Sequence, residues 1–159
     1  MSRFSDKPSR LVALTSYLLS QTAKLAKDEL DACLAERGMR LRHMAVLCVL
    51  DDDPTTQLDL GRRLDLDPSD VTATVDDLED RHLVRRSSDV SDRRRKLVTL
   101  TPRGQREVEL LDQLAGRVAD ELFAPLSASR RAGMHEDLLT LLTARDRAVS
   151  EVPHDQRPE

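Results

Sequence analysis

Four consecutive cations at residues 93–96 follow Asp92 and come just before a short alternating segment at residues 97–100. Guanidinium and ammonium groups bind anionic oxygens, and a cluster of them attracts phosphate without making or breaking bonds. Thr101 and Pro102 then mark the start of a helix, because proline is favoured at the first helical position. The pattern therefore predicts a charged tip on a short β-hairpin that is suited to bind a polyanion.

The local charge around this tip differs from that of the whole chain. The 159 residues carry a formal net charge of −4, yet residues 81–106 hold nine cations against two aspartates, a net of +7. Residues 51–80 hold eleven carboxylates against Arg62 and Arg63. Because phosphates respond to the local patch and not to the total, this distribution favours a nucleic-acid surface. The alternative interpretation is a charged face that is merely solvated.

Apolar residues at helical spacing predict long helices on both sides of this region. We place helices over residues 9–37, 40–51, 102–122 and 127–150. The terminal helices carry more apolar surface than a small domain covers, so we expect residues 9–37 and 105–150 to pair with a second copy in a twofold homodimer. Residues 151–159 are polar, contain two prolines and are expected to be a disordered tail.

Two short helices are predicted between residues 56 and 81. Thr56 and Asp59 form a short capping-box pattern at the first start. Asp67 and Pro68 begin the second helix, as a cap and a first-turn proline. Within it, one stripe is expected to be buried: Val71, Val75 and Leu78. Two short helices joined by a tight turn are typical of the helix-turn-helix unit.

Residues 83–86 and 97–100 are the two predicted strands, joined through residues 87–96, and we call this hairpin with its loop the wing. The predicted fold is mainly α with a small β component, in one domain spanning residues 1–159. Within it, residues 40–104 form a winged helix-turn-helix lobe. A helix-turn-helix followed at once by a cationic wing favours binding to double-stranded nucleic acid.

This order of elements, with several motifs, resembles the MarR family of bacterial transcription regulators. The resemblance covers about residues 10–150, and its most specific part runs from Val71 to Gly104. The residues at the family's spacing are Leu78-Glu79, Leu83-Val84-x-Arg86, Asp89, Asp92-Arg93-Arg94 and Leu100-Thr101-x-x-Gly104. A helix-turn-helix alone would be a weak signal, whereas its combination with the wing and the Leu-Thr-x-x-Gly helix start is specific.

The resemblance implies a homodimeric regulator, most often a repressor, that binds a pseudo-palindromic double-stranded operator. Half-sites would then lie about 10 bp apart, one helical turn. Family members often release DNA when a small aromatic or lipophilic molecule binds. The resemblance also implies that Arg94 enters the minor groove while Asp92 holds it, and that a recognition helix over residues 68–81 lies in the major groove.

The residues expected to meet DNA lie on the helix-turn-helix and on the wing: Arg62, Arg63, Ser69, Thr72, Ala73, Asp76, Arg86, Asp92, Arg93, Arg94, Arg95 and Lys96. Ser69 and Thr72 carry hydroxyls that can donate to phosphates or bases, and the wing cations other than Arg94 are expected at phosphates.

The recognition helix departs from the family pattern in three places. Ala73 stands where a basic residue is common, Asp77 where arginine is common, and His82 in place of a usual turn glycine. The helix is therefore acidic for one that reads DNA, and a module that binds protein partners without specific DNA binding is the alternative function.

Several other classes of function find no support in the sequence. Aromatic residues make up only 2% of the chain, which argues against stacking of single-stranded bases. No phosphate-binding glycine loop or catalytic motif occurs, so we expect no enzyme and no cofactor. No signal peptide or long apolar run occurs, and we expect a cytoplasmic protein without a membrane partner.

The two cysteines leave a second alternative open. Some relatives of the family sense oxidants through a reactive cysteine, and Cys33, with Arg37 one turn later, is the candidate here. Cys48 is expected in the core, and a packed thiol is the other interpretation of both. The histidines are scattered, so no metal site is predicted.

Overall fold

The computed structural model describes residues 6–88 and 96–150. The helices are α1 (Ser9–Val12), α2 (Thr15–Ala35), α3 (Leu41–Asp52), α4 (Gln57–Leu64), α5 (Pro68–Asp80), α6 (Pro102–Leu122) and α7 (Ala128–Ser150). The strands are β1 (Thr55–Thr56), β2 (Val84–Ser88) and β3 (Lys96–Leu100). The chain divides into two compact units, Met1–Ala119 and Asp120–Glu159. The prediction of a mainly α fold with a small β component is confirmed.

The helix-turn-helix consists of α4, a three-residue turn and α5. The Thr56 hydroxyl caps α4 by accepting the Asp59 N–H at 3.1 Å, as the sequence predicted. Asp65 ends α4 in the left-handed conformation, with φ of 51°, and the Gly61 carbonyl accepts the N–H of Leu66 at 3.0 Å. A side chain at Gly61 would meet the Leu66 carbonyl oxygen at 3.1 Å, so the tight turn favours glycine there.

The start of α5 confirms one prediction and corrects another. Pro68 occupies the first turn, where its missing N–H costs nothing. Asp67 stands at the N-cap, yet its side chain makes no cap hydrogen bond. Its position before the proline was therefore right, and the expected side-chain cap was wrong.

The core of the first unit lies under the helix-turn-helix. The predicted stripe is confirmed, because Val71, Val75 and Leu78 are all fully buried. The fully buried side chains come from α2, α3, α4, α5, the sheet and α6: Leu34, Leu47, Leu60, Leu78, Leu111, Val46, Val71, Val75, Val84, Val98 and Thr74. Burial of this apolar surface holds α5 rigidly by one face and leaves the other in solvent.

The sheet has three antiparallel strands in the order β1-β3-β2. The hairpin register pairs Val84 with Leu100 and Ser88 with Lys96. Ser87, Ser88 and Lys96 therefore belong to strands, whereas the sequence placed them in the connection. Strand β1, which pairs Thr55 with Val98, was not predicted from the sequence. A strand of two residues is too short to show the alternation of apolar and polar residues.

The junction between the wing and α6 explains the Leu-Thr-x-x-Gly motif. The Thr101 hydroxyl donates to the His82 carbonyl at 2.7 Å and accepts the Gly104 N–H at 3.0 Å. The Thr101 N–H donates to the Leu83 carbonyl at 2.9 Å. Gly104 is buried against that same carbonyl, with no room for a side chain. The motif therefore fixes the helix start directly against the base of the wing.

The N-terminal prediction of one helix over residues 9–37 was wrong in one respect. The helix is interrupted, because Leu14 adopts an extended conformation (φ −91°, ψ 113°) and separates α1 from α2. Leu11, Leu14 and Leu18 keep helical spacing across the break, so periodicity does not reveal it. Gly38, just after the predicted end of this helix, adopts a left-handed φ of 66°.

The C-terminal helices follow the prediction closely, and α7 begins where the Arg131 N–H donates to the Ser127 carbonyl at 3.0 Å. Leu139, Leu141 and Leu142 on α7 are 49%, 64% and 63% exposed. In the part of the chain that the structure describes, every helix is too short or too polar to cross a membrane.

Substituting Gly104 with alanine tests the junction. The new Cβ would lie 2.0 Å from the Leu83 carbonyl oxygen, so the strand or the helix must shift. We expect the free energy of unfolding to fall by about 1–3 kcal/mol, measured by urea denaturation. The matched control is Gly116→Ala on the same helix, where the Cβ meets nothing within 4 Å. The control should leave stability unchanged or raise it by up to about 1 kcal/mol. Equal stability of the two variants would contradict this account.

Candidate nucleic-acid interface

One face of α5 is exposed along its whole length. Ser69, Thr72, Ala73 and Asp76 are all exposed, and they lie opposite the buried stripe. This confirms the predicted orientation of the helix. The face has the i, i+3, i+4, i+7 spacing of a single helical surface, so the four side chains form a continuous strip that a partner can contact.

The hydroxyl of Thr72 is engaged within the protein. It donates to the Pro68 carbonyl at 2.9 Å and accepts from the Gln57 amide at 3.2 Å. Its hydrogen therefore serves the helix, and a partner meets its methyl group and a remaining lone pair. The hydroxyl of Ser69 makes no hydrogen bond within the described residues, so it can both donate a hydrogen bond to a partner and accept one.

Arg86, on β2, joins the base of the wing to the recognition helix α5. Its Nη1 donates to the Glu79 carboxylate, its Nη2 to Asp76 Oδ1 at 2.6 Å, and its Nε to Gln57 Oε1 at 3.0 Å. The Arg86 backbone N–H also donates to Glu79 Oε1 at 2.8 Å. All three nitrogens of the guanidinium are thus directed at protein groups, and the side chain is only 25% exposed.

These bonds keep the Glu79 carboxylate ionised. The Arg86 backbone N–H is the largest influence that lowers the pKa of Glu79, and the guanidinium lowers it further. Burial works against the charge of Arg86, but the bonds to Glu79 and Asp76 outweigh it and raise the Arg86 pKa. The group is therefore a charged network in which one cation serves two carboxylates.

The acidity of α5 is balanced by arginines from outside the helix. Its five carboxylates are Asp70, Asp76, Asp77, Glu79 and Asp80. Asp70 pairs with Arg42 of α3 at 3.4 Å, Asp77 pairs with Arg81 at 2.9 Å, and Asp76 and Glu79 share Arg86. Within the described residues, Asp80 is the carboxylate of α5 that no cation pairs with. The sequence showed the acidity but not this compensation, because Arg42 and Arg86 lie on other elements of the fold than their partners.

The two arginines of α4 differ in their freedom. Arg62 is 71% exposed and lies 3.5 Å from an Asp59 oxygen, while Arg63 is 44% exposed and pairs with Asp52 at 3.0 Å. Exposed pairs of this kind contribute little to stability and are readily given up to another anion.

The wing is described only at its base. Lys96 begins β3 and its Nζ donates to the Ser88 hydroxyl at 2.8 Å. The predicted tip residues Asp92, Arg93, Arg94 and Arg95 lie outside the described residues. Their roles therefore stay predictions.

A second polar cluster, which the sequence did not reveal, holds α5 to α3. His43 is 5% exposed, and its Nδ1 accepts the Arg40 N–H at 2.9 Å. Its Nε2 lies 3.3 Å from Asp77 Oδ2, the oxygen that also accepts from Arg81. Arg81 continues to the Gly38 carbonyl at 2.8 Å. Arg81, one of the nine cations of residues 81–106, thus bonds to groups of the protein itself.

Known proteins share this arrangement of helices and strands. The model of the MarR family matches residues 40–96, from the residue before α3 to the first residue of β3. A probable transcriptional regulator from Pseudomonas aeruginosa is 30% identical, over 83% of this chain and 99% of its own, with a TM-score of 0.69. The chain belongs to the MarR family. It is a winged-helix transcription regulator.

Two further structures are similar, and each has a bound molecule. CouR from Rhodococcus jostii RHA1, crystallised with p-coumaroyl-CoA, is 26% identical over 84% of this chain and 95% of its own, with a TM-score of 0.70. The MarR family protein Rv2887 of Mycobacterium tuberculosis, crystallised with DNA, has a TM-score of 0.72 over 81% of this chain and 98% of its own. It is 23% identical, so that likeness concerns the fold.

The structure gives physical reasons for the MarR motifs in this chain. Glu79 and Arg86 are the two ends of the ion pair that joins the recognition helix to the wing. His82, which replaces the usual turn glycine, adopts a left-handed φ of 60°. Asp77 replaces the usual arginine and bridges His43 and Arg81. Two departures from the family pattern therefore have a definite structural setting.

The cysteines give little support to a thiol switch. Cys48 is exposed, so its prediction as a core residue was wrong: it lies on the outer side of α3, next to buried positions. Partial burial, with Asp112, Asp51 and Asp52 nearby, raises the pKa of its thiol and disfavours the reactive thiolate. Cys33 is half-buried, and the Arg37 cation expected to activate it pairs with Glu107 at 2.7 Å.

A cavity and the absence of a metal-binding group are two further features of the described residues. A largely apolar cavity of about 370 Å³ lies between α4 and α5 and is lined by Gln57, Leu58, Gly61, Arg62, Leu66, Pro68 and Thr72. Among residues 6–88 and 96–150, no group of three or more metal-binding side chains comes together.

The His43 cluster predicts a pH dependence of stability. Burial is the main cause that lowers the His43 pKa below the usual histidine value of 6.5, Arg42 and Arg81 lower it further, and Asp77 opposes them. The unfolded chain therefore takes up the proton first as the pH falls. We expect the free energy of unfolding to be highest above pH 6.5. It should decrease as the pH falls from there to the lowered pKa that His43 has in the folded protein.

This dependence is measured by urea denaturation between about pH 5.5 and 8. His43→Gln should flatten the curve in that window, while His135→Gln, at an exposed site on α7, is the matched control. An unchanged slope in His43→Gln would contradict the assignment.

Proposed function

We propose that this MarR family regulator is a homodimer that binds a specific double-stranded operator and represses transcription until a small molecule releases it. The observation that carries the proposal is the exposed strip of Ser69, Thr72, Ala73 and Asp76 on a helix whose other face is fully buried. A rigid helix with an exposed face is the element that enters a major groove.

The balanced charge of the recognition helix supports binding to DNA. Five unpaired carboxylates would repel a phosphate backbone, but Arg42, Arg81 and Arg86 pair with four of them. Affinity then comes from cations around the helix. On α4 these are Arg62 and Arg63, and on the wing they are Arg93, Arg95 and Lys96, which we expect to meet phosphates.

Arg94 is proposed to enter the minor groove, with Asp92 as its brace. A guanidinium is planar, always charged and easier to desolvate than an ammonium, and a narrow minor groove concentrates negative potential. Arg94 belongs to the seven residues that connect β2 to its antiparallel neighbour β3 in the sequence.

The homodimer is supported by exposed leucines on the helices that flank the lobe. On α2, Leu19 and Leu25 are 47% and 54% exposed, and on α7, Leu141 and Leu142 exceed 60%. Exposed large apolar side chains in such numbers favour burial against a partner. A second copy is the simplest partner, and its twofold symmetry would match a pseudo-palindromic operator.

The proposed effector is a small aromatic or lipophilic molecule. The related structure of CouR holds p-coumaroyl-CoA, which has an aromatic acyl group. An effector releases DNA only through its different affinity for the free and bound forms, with a coupling of about 1–3 kcal/mol.

The interaction with DNA is tested by titrating duplex DNA from upstream of the protein's own gene at several salt concentrations. If each subunit neutralises about four phosphates, the dimer should give a slope of about −7 in the log–log plot. Arg94→Ala should lower affinity by about 10-fold or more, since it removes a charge-assisted contact. Arg145→Ala removes the same charge from an exposed site on α7 and should leave affinity unchanged.

Binding without salt dependence would contradict the proposal. A folded dimer that enriches no sequence from a random duplex pool would instead support the alternative function, a module for protein partners. The acidity of α5 is the feature that favours that alternative, and its pairing with arginines is what weakens it.

A further inference from the structure

Asp76 has a distinct position on the exposed strip of the recognition helix. It is the one charged residue among the four of the strip, and its side chain is 58% exposed. Its Oδ1 accepts from Arg86 Nη2 at 2.6 Å, while its Oδ2 accepts no hydrogen bond from any described residue. One oxygen is thus held by the protein and the other is left available to a partner.

The orientation of Asp76 is fixed from behind by a rigid group. Arg86 is itself held by the Glu79 carboxylate and by Gln57 Oε1, so its guanidinium plane has little freedom. A carboxylate that is bound to such a planar donor loses little further entropy on meeting a base. Arg86 also lowers the repulsion between Asp76 and the phosphates on either side of a groove.

The chemistry of a carboxylate restricts which base it can meet. An ionised carboxylate only accepts hydrogen bonds. In the major groove guanine and thymine present acceptor atoms, which repel it, and adenine presents its amine beside the acceptor N7. Cytosine presents the N4 amine, a donor, without an adjacent acceptor on the same base. Cytosine is therefore the base that suits a lone carboxylate oxygen.

We infer that Asp76 is a specificity-determining residue that reads one cytosine in each operator half-site, and that Arg86 is its positioning residue. This inference rests on the proposed binding of DNA and goes beyond it, because it assigns a base to a residue. It also gives a use to the acidity of the recognition helix, which phosphate binding alone does not explain.

The test is selection from a random duplex pool with the full-length protein and two single variants. Wild type should enrich sequences with a cytosine at one position in each half-site. Asp76→Ala should lose the preference at that position and keep the rest of the motif. Asp80→Ala removes an equal charge from the same helix, at an exposed carboxylate without a cationic partner, and should select the wild-type motif.

Affinities for two defined duplexes give the magnitude. Replacing that C·G pair by A·T in one half-site should weaken wild-type binding by about 5- to 150-fold, the range of a good base contact. The same replacement should change the affinity of Asp76→Ala by less than about 2-fold. Arg86→Ala, if its melting curve shows a folded protein, should lose the preference at the same base pair, and the double variant with Asp76→Ala should lose no more.

The outcomes distinguish failure of the inference about Asp76 from failure of the proposed function. If Asp76→Ala selects the same motif as wild type, including that cytosine, the inference is overturned while the proposed function stands. If wild type enriches no sequence at all, the proposed function fails and the inference fails with it.

Discussion

The guanidinium of Arg86 is the contact on which the DNA-binding lobe depends. It leaves the base of the wing on β2 and binds Glu79 and Asp76 on the recognition helix α5, while Gln57 connects it to α4. The three elements that a winged helix must align for one duplex therefore meet at one side chain. The same contact compensates two carboxylates, so geometry and charge are set together.

This arrangement changes how the acidity of the recognition helix is understood. A count of charges along α5 suggests a helix that phosphates repel. The structure instead pairs its carboxylates with Arg42 of α3, with Arg81 at the C-terminal end of α5 and with Arg86 of β2. In the proposed complex with DNA, sequence-independent affinity is left to cations on α4 and the wing, and the recognition helix is free to discriminate among bases.

A second constraint places the wing relative to the helices. Thr101 ties the helix start to the turn before β2, and Gly104 lets α6 approach the Leu83 carbonyl more closely than any side chain would allow. The pair of buried His43 and partly exposed Asp77 performs the same task on the other side, between α3 and α5. The lobe is thus held by hydrogen-bonded junctions around a compact apolar core.

Much of this could be predicted from the sequence, since local signals specify local structure. The cap at Thr56, the proline at residue 68, the stripe of Val71 and its partners, and the start of α6 all follow from short-range patterns. The break at Leu14 did not follow, because apolar spacing continues across it.

The contacts of the candidate site were harder to foresee. The partners of Arg86 and His43 did not follow either, because they lie on other elements of the fold, and periodicity within one helix or strand carries no information about such pairs. Cys48 was wrongly predicted to be buried, because even a helix rich in apolar residues exposes one side to solvent.

The most direct test of the central claim compares DNA affinity of wild type, Arg86→Ala and the double variant Arg86→Ala/Glu79→Gln. If Arg86 acts by compensating carboxylates, the single variant binds more weakly and the double variant recovers part of the loss. Glutamine removes one negative charge there and keeps an oxygen for the N–H of residue 86. The salt dependence should stay the same in all three proteins. No recovery, together with a slope shallower by about one unit per subunit, would show that Arg86 itself contacts a phosphate and would contradict the account.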